Sequence, residues 1–459
     1  MMRRHTDDQG SILVLVIVFM TSVALVSLAL LSQADANLRY TTIERQKKRQ
    51  VYAANAAVDY GIQQLRNNAG VCGPAQAVVA PQPLPFPVNG RTPTWACRET
   101  PNGSSGGAFG SGWAVFLTGA NLTGNGVAVK ILGKTMHVIN GPVYNDHDDA
   151  GGNLNQAWSI SQNAGLTVAN GYVTQYWPTC PLTGTINYLV TANVYCTSTS
   201  LPVPLPRESL AATAPTGTAS HIPVATADPG CVAFNPGRYT QKPNLTSGKV
   251  NFFRGGVYYF DGIGSWNFNS ELVLGGTPQR GEARNTALNC NDPAQGGVMF
   301  VFGGNSSLTL TGTSTIEMFP GNAAGGPGVS FYQVQTTGGG WTASTVTSTA
   351  LIQADETGPS SLIFHGQVWA PTGSLKLTDG GAGNGKLRFG AGLVVSDIQN
   401  VNNNGGSTNF YVTGARTVTV TGIASPVGAE SGPNVTATAV LVIYDDAAIA
   451  PKIASWRLG

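Results

Sequence analysis

The fold class the sequence predicts is mainly β: a long N-terminal transmembrane α-helix followed by a parallel β-helix or solenoid-like body, with a many-stranded β-sandwich as the alternative. Three observations predict it. An uncharged apolar run opens the chain at residues 11–31. Charged residues make up 10% of the 459 positions, against roughly 25% in an ordinary soluble domain. The sequence also holds 59 glycines and recurring short runs of Val, Thr and aromatic residues between Gly turns, a composition that suits short strands and tight turns.

Residues 11–31 read SILVLVIVFMTSVALVSLALL, 21 residues without a charge. At 1.5 Å per residue they cover about 30 Å, the thickness of a bilayer's hydrocarbon core. The helical pattern continues past them. Val51, Ala54, Val58, Ile62 and Leu65 recur at helical spacing and give one apolar stripe. No Pro or Gly interrupts residues 11–60, Gly61 is a mild weakness, and Asn67-Asn68-Ala69-Gly70 is a stop signal. One helix over 11–67 follows, apolar all round in its first half, amphipathic and basic in its second.

A polar leader at residues 1–10 contains Arg3 and Arg4 and ends at Gly10, just before this helix. The arrangement resembles a type IV pilin-like N-terminus, and within that group the PilX-type minor pilins. QGSILVLVIVFM at 9–20 is similar to their mature start, and Ala53-Ala54-Asn55-Ala56-Ala57 to a small-residue region near their helix end. The resemblance implies cleavage by a prepilin peptidase between Gly10 and Ser11. It also implies packing of the helix, residues 11–67, among other pilin-like subunits of a pilus or pseudopilus. Two positions depart from the pattern. Leu15 stands where pilins commonly carry Glu, and Ser11 is unusual as a first mature residue. An uncleaved single-pass anchor on a structural surface protein is the alternative.

The six cysteines, Cys72, Cys97, Cys180, Cys196, Cys231 and Cys290, all follow the apolar run, without CxxC or Cys/His metal spacing. In an exported protein they predict three disulfides, with sequence neighbours paired (72–97, 180–196, 231–290) among the 15 connectivities available. Charge alone points the other way. Arg3 and Arg4 precede the span, whereas Arg39, Arg45, Lys47, Lys48 and Arg49 follow it, and the positive-inside rule would keep the body in the cytoplasm. The rule weakens for long translocated domains, and the cysteines and low charge favour an exported body on a cytoplasmic-membrane anchor, displayed at the cell surface or on a pilus. A formal net charge of +2 gives no sign of a nucleic-acid partner.

Beyond the helix, PQPLPFP at 81–87 marks residues 68–120 as an irregular Pro-rich linker. A body over 121–415 follows, with a Pro-rich insertion at 197–243 containing LPVPLP, and 416–459 reads as a C-terminal cap. Within the body, phrases such as VNFFRGGVYYF (250–260), GVMFVFGGNSSLTLTG (297–312) and KLRFGAGLVV (386–395) repeat loosely, and Phe364 and Phe389 occupy similar places 25 residues apart. Irregular self-similarity at that period suggests stacked coils. GQVWAPTGSLKL at 366–377 resembles a coil of the C-terminal domains of some PilX-type assembly proteins.

Few motifs suggest chemistry. GGAGNGKL at 380–387 nearly matches a P-loop, but Leu387 stands where the Mg²⁺-binding Ser or Thr belongs, and a strand-like stretch follows. Asp146, Asp148 and Asp149 beside His147 offer oxygen ligands for Ca²⁺, but no Glu closes a 12-residue loop, so a solvated turn is the plainer reading. Asp261, Asp355, Glu356, Asp379 and Asp397 are isolated carboxylates without the convergence that glycoside hydrolysis needs. Trp158, Trp177, Trp266, Trp341 and Trp369 suggest either a sugar-stacking face or core aromatics. The reading is therefore a non-enzymatic protein without a cofactor, serving pilus assembly or adhesion toward a surface ligand or polysaccharide. A β-helix polysaccharide-active enzyme is the remote alternative.

Overall fold

The structure, a computed structural model, describes residues 8–67, 81–100, 113–120, 127–132, 135–139, 141–147, 157–162, 164–169, 172–178, 180, 186–187, 189–190, 193–206, 208–277, 286, 289–290, 296–323, 326–345, 350–356, 360–379, 386–403, 409–427, 433–444 and 452–458. Helix α1, Asp8–Asn67, is 60 residues long, about 90 Å at 1.5 Å per residue. Its side chains from residue 12 to 43 are exposed, and burial begins at Gln50.

The second half of α1 is covered by a five-stranded antiparallel sheet. The strands lie in the order Gln82–Pro83, Thr94–Thr100, Ala415–Ala424, Val435–Tyr444 and Lys452–Leu458. Ala53, Ala54, Ala57, Val58, Ile62 and Leu65 form one core with Trp95, Val418, Val420, Ala437, Ala439 and Leu441. Burying these side chains fixes the sheet to the helix. The described strands of the expected cap over 416–459 therefore belong to the sheet on the helix. Their alternating Val and Thr pair with residues 94–100, over 300 positions earlier in the chain, and their apolar face needs the helix.

The rest of the β structure is mainly parallel. The first parallel sheet runs Leu189–Val190, Gly165–Ala169, Thr135–Ile139, Asn409–Thr413, Lys386–Phe389, Ser361–Phe364, Thr315–Met318, Leu272–Gly275, Val250–Phe253 and Cys231–Phe234, with Val224–Ala225 antiparallel at the far edge. The main path of the second runs Val194–Thr197, Val173–Tyr176, Val143–Asn145, Val115–Leu117, Leu393–Asn403, Gln367–Asp379, Val329–Gln333, Val298–Gly303, Gly256–Asp261 and Gly237–Tyr239. A third row branches from it, through Ser265–Phe268, Ser307–Thr311 and Ile352–Glu356 to the later halves of the two longest strands, then Val129–Leu132 and Trp158–Ile160. From 231 to 413 the chain visits these rows in turn. The strands of 115–197 stack beyond residue 413, with Val115–Leu117 on Leu393–Val395 and Met136–Ile139 on Phe410–Thr413.

The space between the rows is filled with apolar side chains. Phe364 and Phe389, 25 residues apart, are register partners with ring centroids 6.0 Å apart. Phe389 continues to Phe410 at 5.7 Å, and Phe234 stacks on Phe253 at 4.8 Å. Trp158, Trp266 and many of the phenylalanines belong to this core.

The outer face of the second sheet carries a register column of its own: Arg238, Tyr259, Val301, Tyr332, Trp369, Val394, Phe116, Tyr144, Thr174 and Tyr195. The Pro-rich segment runs down this column as a strap. Leu201 donates its backbone N–H to Tyr144 Oη at 2.8 Å near one end, and Ala219 donates to the Arg238 carbonyl at 2.6 Å near the other. Two sequence boundaries change accordingly. Thr94–Thr100 and Val115–Leu117 are strands within the expected linker 68–120, and Cys231–Phe234 and Gly237–Tyr239 are strands within the expected insertion 197–243. Prolines flank these strands rather than interrupt their ladders, so Pro content exaggerated both breaks.

Candidate membrane and assembly surface

The candidate functional surface is the uncovered part of α1. Its best window has a mean hydropathy of 2.8 and none of that window is buried, so the helix is long and apolar enough to cross a membrane. Ile12 to Leu31 present large apolar side chains on every side, with Leu15 among them at 69% exposure. In water so large an apolar surface is unfavourable. Thr21 and Ser22 return their hydroxyls to the carbonyls of Ile17 and Val18, leaving no polar group of theirs unsatisfied. Gly10 and Ser11 fall in the first turn of the helix.

Next comes a solvated basic stretch. Arg39 pairs with Asp35 at 2.9 Å, one turn back, and Arg45, Lys47, Lys48 and Arg49 are exposed. The helix then meets its own sheet at a close approach. A Cβ at Gly61 would lie 2.7 Å from Val420 Cγ1 and 2.9 Å from Trp95 Cε3, and one at Gly422 would meet the backbone carbonyl of Ala54. The small residues at 53, 54, 57 and 61 thus let the helix sit directly on the strands. Trp456 Nε1 donates to Asn55 Oδ1 at 3.1 Å and ties the outermost strand to the same helix.

The other sequence candidates are spread through the fold. Asp146 accepts from Tyr144 Oη at 2.7 Å and from Ser200 Oγ at 2.7 Å, which fastens the head of the strap. Asp148 and Asp149 lie outside the described residues, and no group of three His, Cys, Asp or Glu able to hold a metal occurs among the described residues. Disulfides join Cys180 to Cys196 and Cys231 to Cys290, both sequence-neighbour pairs. Cys97 is disulfide-bonded, and Cys72 lies outside the described residues.

Asp261 is ion-paired with Arg238, which also lies 5.9 Å from the Tyr259 ring. Asp397 is fully buried, with Ser374 Oγ donating to Oδ2 at 2.8 Å. The His365 ring stacks on Phe319 at 4.3 Å and places Nε2 2.9 Å from Glu317 Oε1. The glycines of the P-loop-like stretch lie outside the described residues up to Lys386, which opens a strand, not a helix. All five tryptophans singled out in the sequence are buried, which removes them as a sugar-stacking face. Trp113, Tyr172 and Tyr195 were missed. They cluster at one end of the outer column, with centroids 6.2 Å and 5.5 Å apart in succession, and Tyr195 is exposed. Of the three, Tyr195 lies in the register column, which is invisible before the strands are aligned.

No protein-family model, curated protein or solved structure matches the chain.

Proposed function

We propose that this chain is a pilin-like, membrane-anchored component of a type IV pilus or pseudopilus, displaying its β body outside the cell for assembly or adhesion, without catalysis. The observation that carries the reading is the division of α1. One part is bare and apolar for a membrane's thickness, and the other is seated by small residues on an antiparallel sheet. Such a helix suits both a bilayer and the company of similar helices, where burial of the same apolar surface drives association. The pilin-like leader and the small-residue region at 53–57 support it from the sequence.

In this reading the β body is a solenoid of the parallel β-helix type, each coil giving one strand to each row. Its attachment supports display. The coils are inserted between Thr94–Thr100 and Ala415–Ala424, adjacent strands of the sheet on the helix, so the sheet and α1 form a base from which the coils project. The disulfides suit an oxidising exterior. The partners of this reading are the membrane, other pilin-like subunits along residues 11–67, and a surface ligand or polysaccharide on the body.

Leu15 favours a second reading, a permanently anchored structural surface protein, because the acidic side chain common in pilins is missing there. Intact-mass and N-terminal peptide analysis of the membrane-purified protein separates the two. The pilin-like reading expects a chain that begins at Ser11. A chain that retains residues 1–10, together with unchanged pilus number and adhesion in a deletion strain, would replace it with the permanent anchor.

A further inference from the structure

The strap has chain to spare between two fixed points. Trp369 Nε1 donates to the Pro204 carbonyl at 2.8 Å, and Trp341 Nε1 to the Ala211 carbonyl at 3.1 Å. Trp341 sits over Tyr259, with centroids 4.7 Å apart. Trp369 and Tyr259 are three strand spacings apart in the outer column, about 14 Å. Seven residues of extended chain reach roughly 23 Å. The strap therefore need not lie taut on the sheet, and beside Trp341, between the sheet and strap residues 208–211 and 213–216, lies a cleft of about 480 Å³, a volume in the range of small-molecule sites.

The floor of the cleft is Val257 and Met299, register partners on the outer face, and its walls include Leu210, Ala214 and Trp341. One charged side chain reaches it. Glu208 is half-buried, and its carboxylate accepts a hydrogen bond from the Val329 backbone N–H. Its Oε2 occupies space that a Cβ on Gly328 would fill. Burial pushes the Glu208 carboxyl above its ordinary value, because its charged form is costly to desolvate. Among the described residues lining the cleft there is no Lys, Arg or His.

We propose that this cleft binds a small organic cation with an apolar body, its ammonium beside the Glu208 carboxylate and its hydrocarbon or aromatic part on Val257, Met299 and Trp341. The cation supplies a countercharge that the described lining residues do not, and the apolar part displaces water from Met299 and Val257. The site is independent of how α1 is anchored or assembled.

The test is calorimetric titration of the full-length chain in nanodiscs with benzyltrimethylammonium, beside benzyl alcohol and benzoate as neutral and anionic probes of similar body. Glu208→Gln and Met299→Trp chains in identical nanodiscs control for partition into lipid. The cation is expected to bind at least about tenfold more tightly than either other probe. Glu208→Gln should erase that preference while leaving benzyl alcohol binding unchanged, and Met299→Trp should abolish binding of all three. Equal affinities for the cation and benzoate, cation binding unaltered by Glu208→Gln, or no binding at millimolar probe would each overturn the proposal. If Met299→Trp does not fold, Glu208→Gln alone decides, since it keeps the shape of a half-buried side chain.

Discussion

Asp397 shows what a single residue costs this body. Its side chain is fully buried on the Leu393–Asn403 strand, and Ser374 donates to Oδ2. Burial pushes its carboxyl above the ordinary value. A raised native value means that the folded chain holds the proton more tightly than the unfolded one. The charged form therefore costs stability at neutral pH, and stability recovers as pH falls through the native value toward the unfolded one. Asp397→Asn is expected to stabilise the protein by on the order of 1 kcal/mol at pH 8. The advantage should fade in acid, which denaturant unfolding at pH 8 and pH 5 would check. Equal destabilisation at both pH values would mean that the carboxylate is wanted as a charge. In the sequence Asp397 is one of several lone carboxylates, because Ser374 lies 23 residues earlier and only parallel strand pairing brings the two together. Burial of the tryptophans is hidden for the same reason, since inward and outward positions depend on register.

At the scale of elements, α1 was legible and its partner was not. The stripe of Ala54, Val58, Ile62 and Leu65 can be read from spacing alone, and all four side chains are buried. Gly61 looks like a weakness in the helix and proves to be the point of closest approach to Trp95 and Val420. Gly61→Leu is expected to destabilise the joint by about 1–3 kcal/mol through overpacking, seen as faster proteolysis between the helix and the β body. Gly61→Ala should do the same more mildly, although Ala is the better helix former. The sheet itself stayed hidden because Thr94–Thr100 sits in a Pro-rich stretch, far in sequence from the strand it pairs with. The strap was seen as Pro-rich but not as a cover, because nothing in LPVPLP identifies Trp369 as the donor to Pro204.

Across the whole molecule, the two described disulfides sit near opposite ends of the stack. Cys196 lies in Val194–Thr197, the last strand of the second sheet at one end, and Cys231 in the outermost parallel strand of the first sheet at the other. A terminal strand has a neighbour on one side only, so the sheet edges are where a covalent tie adds most. Replacing Cys231 and Cys290 with Ser is expected to cost about 2–4 kcal/mol. Hydrogen exchange should rise first in strands 231–234 and 250–253 and leave 361–413 protected; a uniform rise would mean that the stack unfolds as one unit. The mainly β class and the 25-residue step between Phe364 and Phe389 were legible because identical inward positions need similar side chains. The order of the strands was not, because residues 115–117 and 136–139 find neighbours at 393–395 and 410–413, and no local pattern records a contact so distant.

That contact sets a clock on biogenesis. Leu393 follows its register partner Val115 by 278 residues, so at ~5–20 residues per second of synthesis the first strands wait roughly a quarter of a minute to a minute for the edge that completes them. During that interval Val115–Leu117 and Thr135–Ile139 each have an unsatisfied side, open to any passing strand. The chain cannot finish its fold in the order in which it is made. Whatever handles it during synthesis must keep the early strands from pairing elsewhere until the late ones arrive.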